Sequence, residues 1–379
     1  MVIAAQASVA WLGLVASRAS HAPDARVLAR TIGWRFVWLV LPLACLLAPR
    51  NALVVDACAG WLLSAWHWLI GRAIVVTARD GTRPRWARGG AVLLVVLLLV
   101  PSMMGATWGV VSSLLRGGVS RIVHASVRPD PGEREVRVHV EDGVELGATL
   151  RLPDAPGAAT GVLLVHGYAD GRRRMAPWAR SLASHGFASL RVTLRAHGDS
   201  GGTIVTFAHR ERRDVIAAAR TLLAQEGVRP GCIAAIGNSM GGGALIAAAP
   251  ELAQAGTRAV IAFGPPTDYR ALVARSLPPA PIRTHAAALL TSISHALGTP
   301  SPLELVPREA LADAPALSVL VFHSPTDRTV PFEQSLALTD AHPQVQLVTL
   351  PPVTHGATPE VVAEHHLATV LDAIRTACP

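Results

Sequence analysis

The chain has 379 residues, of which 51% are hydrophobic and 16% charged, with a formal net charge of +8 and four cysteines. That length and apolar content exclude a disordered chain and a small disulfide scaffold. The positive balance is carried by arginine alone, since no lysine occurs; it reads as a coding bias. Without interleaved basic and aromatic residues it gives no nucleic-acid partner.

Residues 1–120 differ from the rest. Eight of the nine tryptophans lie at or before Trp108, and tryptophan concentrates at membrane–water interfaces. Ala91 to Leu115 is a 25-residue segment without a charge, long enough for a spanning helix. Asn51 to Gly71 holds only Asp56 and His67 as ionisable residues. Trp34 to Ala48 is shorter and is closed by Pro49-Arg50. The expectation is an all-α membrane domain with about three transmembrane helices, at 34–48, 51–71 and 91–115. Its partner would be a lipid bilayer. Val2 to Ser17 is apolar but interrupted by Gln6 and Ser8, and a fourth span, a surface helix and a signal-like start stay open. No basic residue precedes it, which argues against a cleaved signal peptide. Asp56 and His67, about three helical turns apart, share a face; a functional role and simple proximity to the interface both fit them.

Arginine counts give an orientation. The segments 18–35 and 72–88 carry nine arginines together, against Arg50, Arg116, Arg121 and Arg128 on the other side. The positive-inside rule puts the nine in the cytoplasm. The expected protein is a multi-pass protein of a bacterial inner membrane whose large C-terminal domain is extracytoplasmic, joined through a linker at 121–133.

From residue 134 to 379 the chain alternates strand-like and helix-like segments, as a mostly parallel α/β sheet with helices on both faces requires. Strands are expected at 134–141, 144–152, 161–165, 188–194, 232–236, 259–263, 317–322 and 345–350. Helices are expected at 175–185, 211–226, 240–249, 332–341 and 360–376, with a further amphipathic one at 285–297. Gly161 to Val165 is a continuous apolar run, typical of a strand buried on both faces. The stretch 264–312, broken by Pro278-Pro279-Ala280-Pro281, reads either as a lid over a site or as an ordinary crossover helix with a long loop. Tyr269, Leu272 and Leu277 are its candidates for lining an acyl pocket.

Gly237-Asn238-Ser239-Met240-Gly241 stands between the apolar run Ile233 to Ile236 and a helix-like stretch. Strand, Gly-x-Ser-x-Gly turn and helix in that order form a nucleophile elbow. An acid and a base should follow in the order Asp, His. Leu317 to Phe322 runs into His323-Ser324-Pro325-Thr326-Asp327, and Val345 to Leu350 runs into Pro351-Pro352-Val353-Thr354-His355. Ser239, Asp327 and His355 each lie just past a strand end, where ligands bind in such sheets.

On these residues the chain resembles the α/β-hydrolase superfamily, over roughly 134–379, and most the serine esterase and prolyl-oligopeptidase-like branch. Leu194 to Gly202 is similar to that branch's D-x-R-G-H-G-x-S-x-G loop, with Thr193 in place of the Asp and Ala196 in place of a Gly. Phe207 to Val215 is similar to its G-x-x-E-x-x-D-V helix start. The resemblance implies that Ser239 attacks an acyl carbon, that His355 is the general base and acid, and that Asp327 orients it. It implies an oxyanion hole from the backbone N–H groups of Tyr168, in His166-Gly167-Tyr168, and Met240. His166, His197, His209, His323, His365 and His366 compete for the base. Of these, His166 and His197 fit loop-ordering hydrogen bonds, and His365 and His366 fit solvated helix positions.

The implied activity is cleavage of carboxylic esters of a small-molecule, lipophilic acyl substrate by a membrane-anchored serine hydrolase. A peptidase or an acyltransferase would use the same triad. A non-catalytic ligand-binding or signalling module is the alternative of another class, and an intact triad counts against it. No P-loop, dinucleotide fingerprint or zinc spacing is present, so no cofactor and no metal are expected. Cys45 and Cys58 fall in membrane segments. Cys232 and Cys378 fall at the end of the sheet away from the site, and whether they pair stays open.

Overall fold

The computed structural model describes residues 129–155, 157–276, 282–296 and 298–379. The expected spans at 34–48, 51–71 and 91–115, the apolar start at 2–17 and most of the linker lie outside these residues, as does Leu277. Among the described residues, no helix is long and apolar enough to cross a membrane.

All eight expected strands are present. They are β1 (Glu133–His139), β2 (Glu145–Arg151), β3 (Ala159–Val165), β4 (Ala188–Val192), β5 (Val228–Asn238), β6 (Thr257–Phe263), β7 (Ser318–His323) and β8 (Val345–Thr349). One sheet joins them in the order β1-β2-β4-β3-β5-β6-β7-β8. The first two pairings, β1 with β2 and β2 with β4, are antiparallel; β4 onward is parallel. Strand β5 begins at Val228, four residues ahead of its expected start at Cys232, because Val228 pairs with Ala159 before a shift in register.

Successive strand residues point to opposite faces, and the core divides accordingly. Leu163, Val165, Ile233 and Ala235 join one buried cluster with α2 (Glu211–Leu223) and α3 (Met240–Ala247). Val162, Leu164, Ala234 and Ile236 join the other, with Trp178 and Leu182 of α1 (Ala176–Ser184) and Val370 and Ile374 of α9 (Leu367–Ala377). Both faces of the central strands are covered, which is why these strands are apolar throughout.

Two expected helices are broken. Pro250 opens a new helix, so the stretch after Ser239 is α3 followed by α4 (Ala249–Gln254). The C-terminal stretch is α8 (Thr358–His365) and α9, separated at His366. His366 is therefore not inside a helix; its ring packs 5.5 Å from that of Phe322. In the stretch 264–312, α5 (Tyr269–Ser276) precedes the expected amphipathic helix, α6 (Ile282–Ala296). Helix α7 (Glu333–Ala341) lies between β7 and β8.

At the end of the sheet away from the strand carboxyl ends, Cys232 and Cys378 form a disulfide with a Cα–Cα distance of 5.7 Å. It ties the C-terminus to β5 across a sequence separation of 146.

Candidate active site

The turn after β5 explains its own composition. Ser239 has φ 49 and ψ −118, a left-handed-side conformation that non-glycine residues rarely adopt. A Cβ at Gly237 would stand 2.6 Å from the Gly242 nitrogen, and one at Gly241 would stand 2.5 Å from the His166 carbonyl oxygen. Only glycine fits either place. The Ser239 N–H donates to the Phe263 carbonyl at 2.8 Å, which pins the turn to β6.

Three strand ends bring the expected residues together. His355 opens a single helical turn after β8. Its Nε2 lies 2.8 Å from Ser239 Oγ, and its Nδ1 lies 2.5 Å from Asp327 Oδ2. A carboxylate only accepts, so Nδ1 carries the hydrogen and Nε2 is left to accept from the Ser239 hydroxyl. In the tautomer with hydrogen on Nδ1 alone, the ring can accept the Ser239 hydroxyl proton at Nε2.

Asp327 is held from four directions. Its Oδ1 accepts from the backbone N–H groups of Thr329 at 2.8 Å and Val330 at 3.0 Å. Its Oδ2 faces both His355 and the Nε2 of His323, the latter at 3.3 Å. Burial works to raise its pKa, but hydrogen bonds from His323, His355 and the backbone outweigh that and hold it well below the usual carboxylate range. Asp327 therefore stays ionised. Gly264, with φ +51, lies against the pair: a Cβ there would be 3.3 Å from His355 Nδ1 and 3.4 Å from Asp327 Oδ2.

The loop after β3 packs on the serine, since a Cβ at Gly167 would be 3.4 Å from Ser239 Cβ. Two buried histidines hold that loop. His166 Nε2 accepts from the Leu194 N–H at 3.0 Å, and His197 Nε2 accepts from the Ala169 N–H at 3.2 Å. Their Nδ1 atoms meet the carbonyls of Gly167 at 2.7 Å and Arg195 at 2.8 Å. Both rings serve the loop. Tyr168, between them, stacks on Phe207 at 5.4 Å, and Phe207 meets Tyr269 of α5 edge-on at 5.7 Å. Burial pushes the Tyr168 phenol up to about 12. Met240 is the first residue of α3, at the positive end of a helix that begins under Ser239.

The other candidates fall elsewhere. His209 contacts the Ser301 carbonyl at 3.0 Å. His365 is exposed. Among the acids that follow Ser239 in the chain, Asp268 is engaged with Arg270 and Arg308, and Asp340 is exposed on α7. Among the described residues, no group of His, Cys, Asp and Glu is arranged to hold a metal. Sequence reasoning missed two neighbours of the triad. One is Gly264, whose signal was a lone glycine past a strand end. The other is the contact of His323 with Asp327, hidden behind its role as a rival base.

The model of the alpha/beta hydrolase family matches residues 162–371. Among solved structures, an esterase of Pyrococcus furiosus superposes with a TM-score of 0.52 at 21% identity, over 65% of this chain and 92% of that one. An esterase of Butyrivibrio proteoclasticus with ferulic acid bound gives 0.50 at 20% identity, over 63% of this chain and 99% of that one. An alpha/beta hydrolase from a Penicillium species gives 0.50 at 19% identity, over 65% and 98%. No curated protein matches the chain.

Proposed function

The chain belongs to the alpha/beta hydrolase family, and on that footing we propose that it is a membrane-anchored serine hydrolase cleaving carboxylic esters through an acyl-enzyme on Ser239. The observation that carries this reading is the continuous line of contacts from Ser239 Oγ to His355 Nε2 at 2.8 Å and from His355 Nδ1 to Asp327 Oδ2 at 2.5 Å.

The steps follow from the atoms in place. Oγ attacks the ester carbonyl as its proton passes to His355 Nε2. The imidazolium keeps its Nδ1–H on ionised Asp327, which stabilises the cation without taking the proton. The N–H groups of Met240 and Tyr168 would meet the oxyanion, each donor worth ~3–4 kcal/mol. Collapse expels the alcohol, protonated by His355. Water then repeats the sequence on the acyl-enzyme.

Esters are favoured over amides because two solved structures of the same fold are esterases. A lipophilic acyl group fits the half-buried, stacked rings of Tyr168 and Phe207, beside the loop against Ser239. The test is labelling with a fluorophosphonate probe and a screen of acyl esters of graded chain length. Ser239→Ala should lose labelling and ~10⁴–10⁶ of kcat. Undiminished labelling would assign the nucleophile elsewhere.

Anchoring by residues 1–120 with the catalytic domain outside the cytoplasm rests on the uncharged segment 91–115 and the arginine asymmetry. The Cys232–Cys378 bridge agrees with it, since disulfides persist in oxidising compartments. A topology reporter fused after Pro379 should be active outside the cytoplasm. Cytoplasmic activity would overturn either the three spans or the charge assignment.

A further inference from the structure

Asp327 carries two histidines on one oxygen. Only His355 reaches the serine. His323, the last residue of β7, is wholly buried, and a buried imidazole must satisfy both ring nitrogens. Its Nδ1 lies 2.7 Å from Ser335 Oγ on α7. Its Nε2 lies 3.2 Å from the Val330 carbonyl oxygen and 3.3 Å from Asp327 Oδ2. Those two oxygens only accept, so a bare Nε2 would set three lone pairs against one another. Nε2 therefore carries the hydrogen, shared between the carbonyl and the carboxylate, and Nδ1 accepts from the Ser335 hydroxyl. Were the ring doubly protonated, Ser335 would turn to accept and Nε2 would still donate. Among the described residues, the charged group in contact with His323 is Asp327; the Phe332 ring covers its face at 5.5 Å.

We propose that His323 is a positioning residue for the reaction: it holds Asp327 Oδ2 in line with His355 Nδ1 and draws off part of the charge that His355 would otherwise meet alone. The inference rests on the assignment of Ser239, Asp327 and His355 as the triad. The backbone donors of Thr329 and Val330 both fall on Oδ1, so they fix one oxygen and leave rotation about the Cβ–Cγ bond to be stopped at the other. His323 is the second stop. It touches no reacting atom, and its effect reaches the serine through Asp327 and His355.

His323→Phe keeps the ring's volume and removes the donor. A hydrogen bond to a charged group corresponds to roughly 10–100-fold in rate, so kcat should fall by about that factor with KM little changed. The acid limb of kcat/KM should move to higher pH. With one donor gone, Oδ2 keeps more negative charge facing His355 Nδ1. His323→Gln places an amide nitrogen near the Nε2 position and should restore most of kcat. His323→Asn, one carbon shorter, should not. The Gln and Asn pair decides the matter if the Phe variant does not fold. Wild-type kcat and an unmoved acid limb in His323→Phe would overturn the inference. So would equal activity of the Gln and Asn variants. Both results leave the triad standing if Ser239→Ala has lost fluorophosphonate labelling. Persistent labelling of Ser239→Ala would overturn the triad assignment and this role together.

Discussion

The two ends of the parallel sheet solve the same backbone problem in different ways. At the amino ends of the strands, positive φ falls on glycine: Gly157 before β3, Gly186 before β4, Gly227 before β5 and Gly256 before β6. At the carboxyl ends, Ala169, Ala196, Phe207, Ala208 and Ser239 adopt it as well. Each such residue costs ~1–2 kcal/mol relative to glycine. A fold keeps that cost only where the surroundings over-determine the conformation, and each strained residue here has a lock. His197 receives the Ala169 N–H, Gly201 O receives that of Ala196 at 2.9 Å, and Phe263 O receives that of Ser239. Phe207 and Ala208 are held by the wholly buried Glu211, which accepts from the Thr206 N–H at 2.8 Å, the Thr206 hydroxyl at 2.7 Å and the Ala208 N–H at 3.0 Å. Strain lies at the end of the sheet that holds Ser239, Asp327 and His355. The amino ends carry relaxed turns and a disulfide.

The contrast is sharpest if chemistry and stability can be lost separately. Asp327→Asn acts at the carboxyl end. The amide oxygen can still accept from Thr329 and Val330, but its NH₂ then faces His355 Nδ1 and His323 Nε2. His355 must move its hydrogen to Nε2 and offers Ser239 a donor in place of a base. The expected loss is ~10⁴ in kcat, with a folded protein by circular dichroism. A loss under about tenfold, far short of that figure, would mean that another group orients His355.

Cys378→Ser acts at the other end. The bridge closes a loop of 146 residues, and removing such a link costs ~2–5 kcal/mol. The unfolding free energy should fall by that amount while kcat on the best ester stays at the wild-type value. A denaturation midpoint unmoved by the substitution, or by reductant on the wild type, would show that the amino end does not depend on the bridge. A matched fall in kcat would join the two ends that the strain pattern separates.

Much of this was legible in the residues. The central strands announced themselves because both their faces are buried, so Val162 to Val165 and Ile233 to Ile236 are unbroken apolar runs. Ser239 was legible because it follows such a run, and Asp327 and His355 because each lies just past a strand-like segment in the expected order. The edges of elements were less so: β5 starts early through a single pairing of Val228 with Ala159, and a proline inside α4 restarts a helix that composition alone continues. Helix α5 was missed because its apolar positions, Tyr269, Leu272 and Val273, fill little more than one turn before the prolines at 278–281. The locks were legible in part: Glu211 stands at the Glu of the helix-start motif and His197 fits a loop-ordering role, whereas His323 acts through Asp327 and Ser335, and a histidine near a triad acid reads equally as a rival base. Ala196 was legible as a departure from a glycine, and its φ of 59 shows the departure to be strained.

That departure supports the finest test of the comparison. Gly186 has φ +84, and a Cβ added there would meet nothing within 4 Å, so Gly186→Ala makes no clash. It pays the left-handed cost of ~1–2 kcal/mol and recovers ~0.4–1 kcal/mol from the restricted unfolded chain. A loss of about 1 kcal/mol is expected. Ala196→Gly is not its mirror image. It relieves ~1–2 kcal/mol of strain but gives up a wholly buried methyl, worth ~0.8 kcal/mol, and loosens the unfolded chain by ~0.4–1 kcal/mol. Those terms nearly cancel, and the midpoint should barely move. Paired urea titrations read both. Stabilisation of Ala196→Gly by more than about 1 kcal/mol would mean that the carboxyl end stores more strain than its hydrogen bonds offset. A loss of that size, equal to that of Gly186→Ala, would mean that Ala196 is held without strain and that the two ends are built alike.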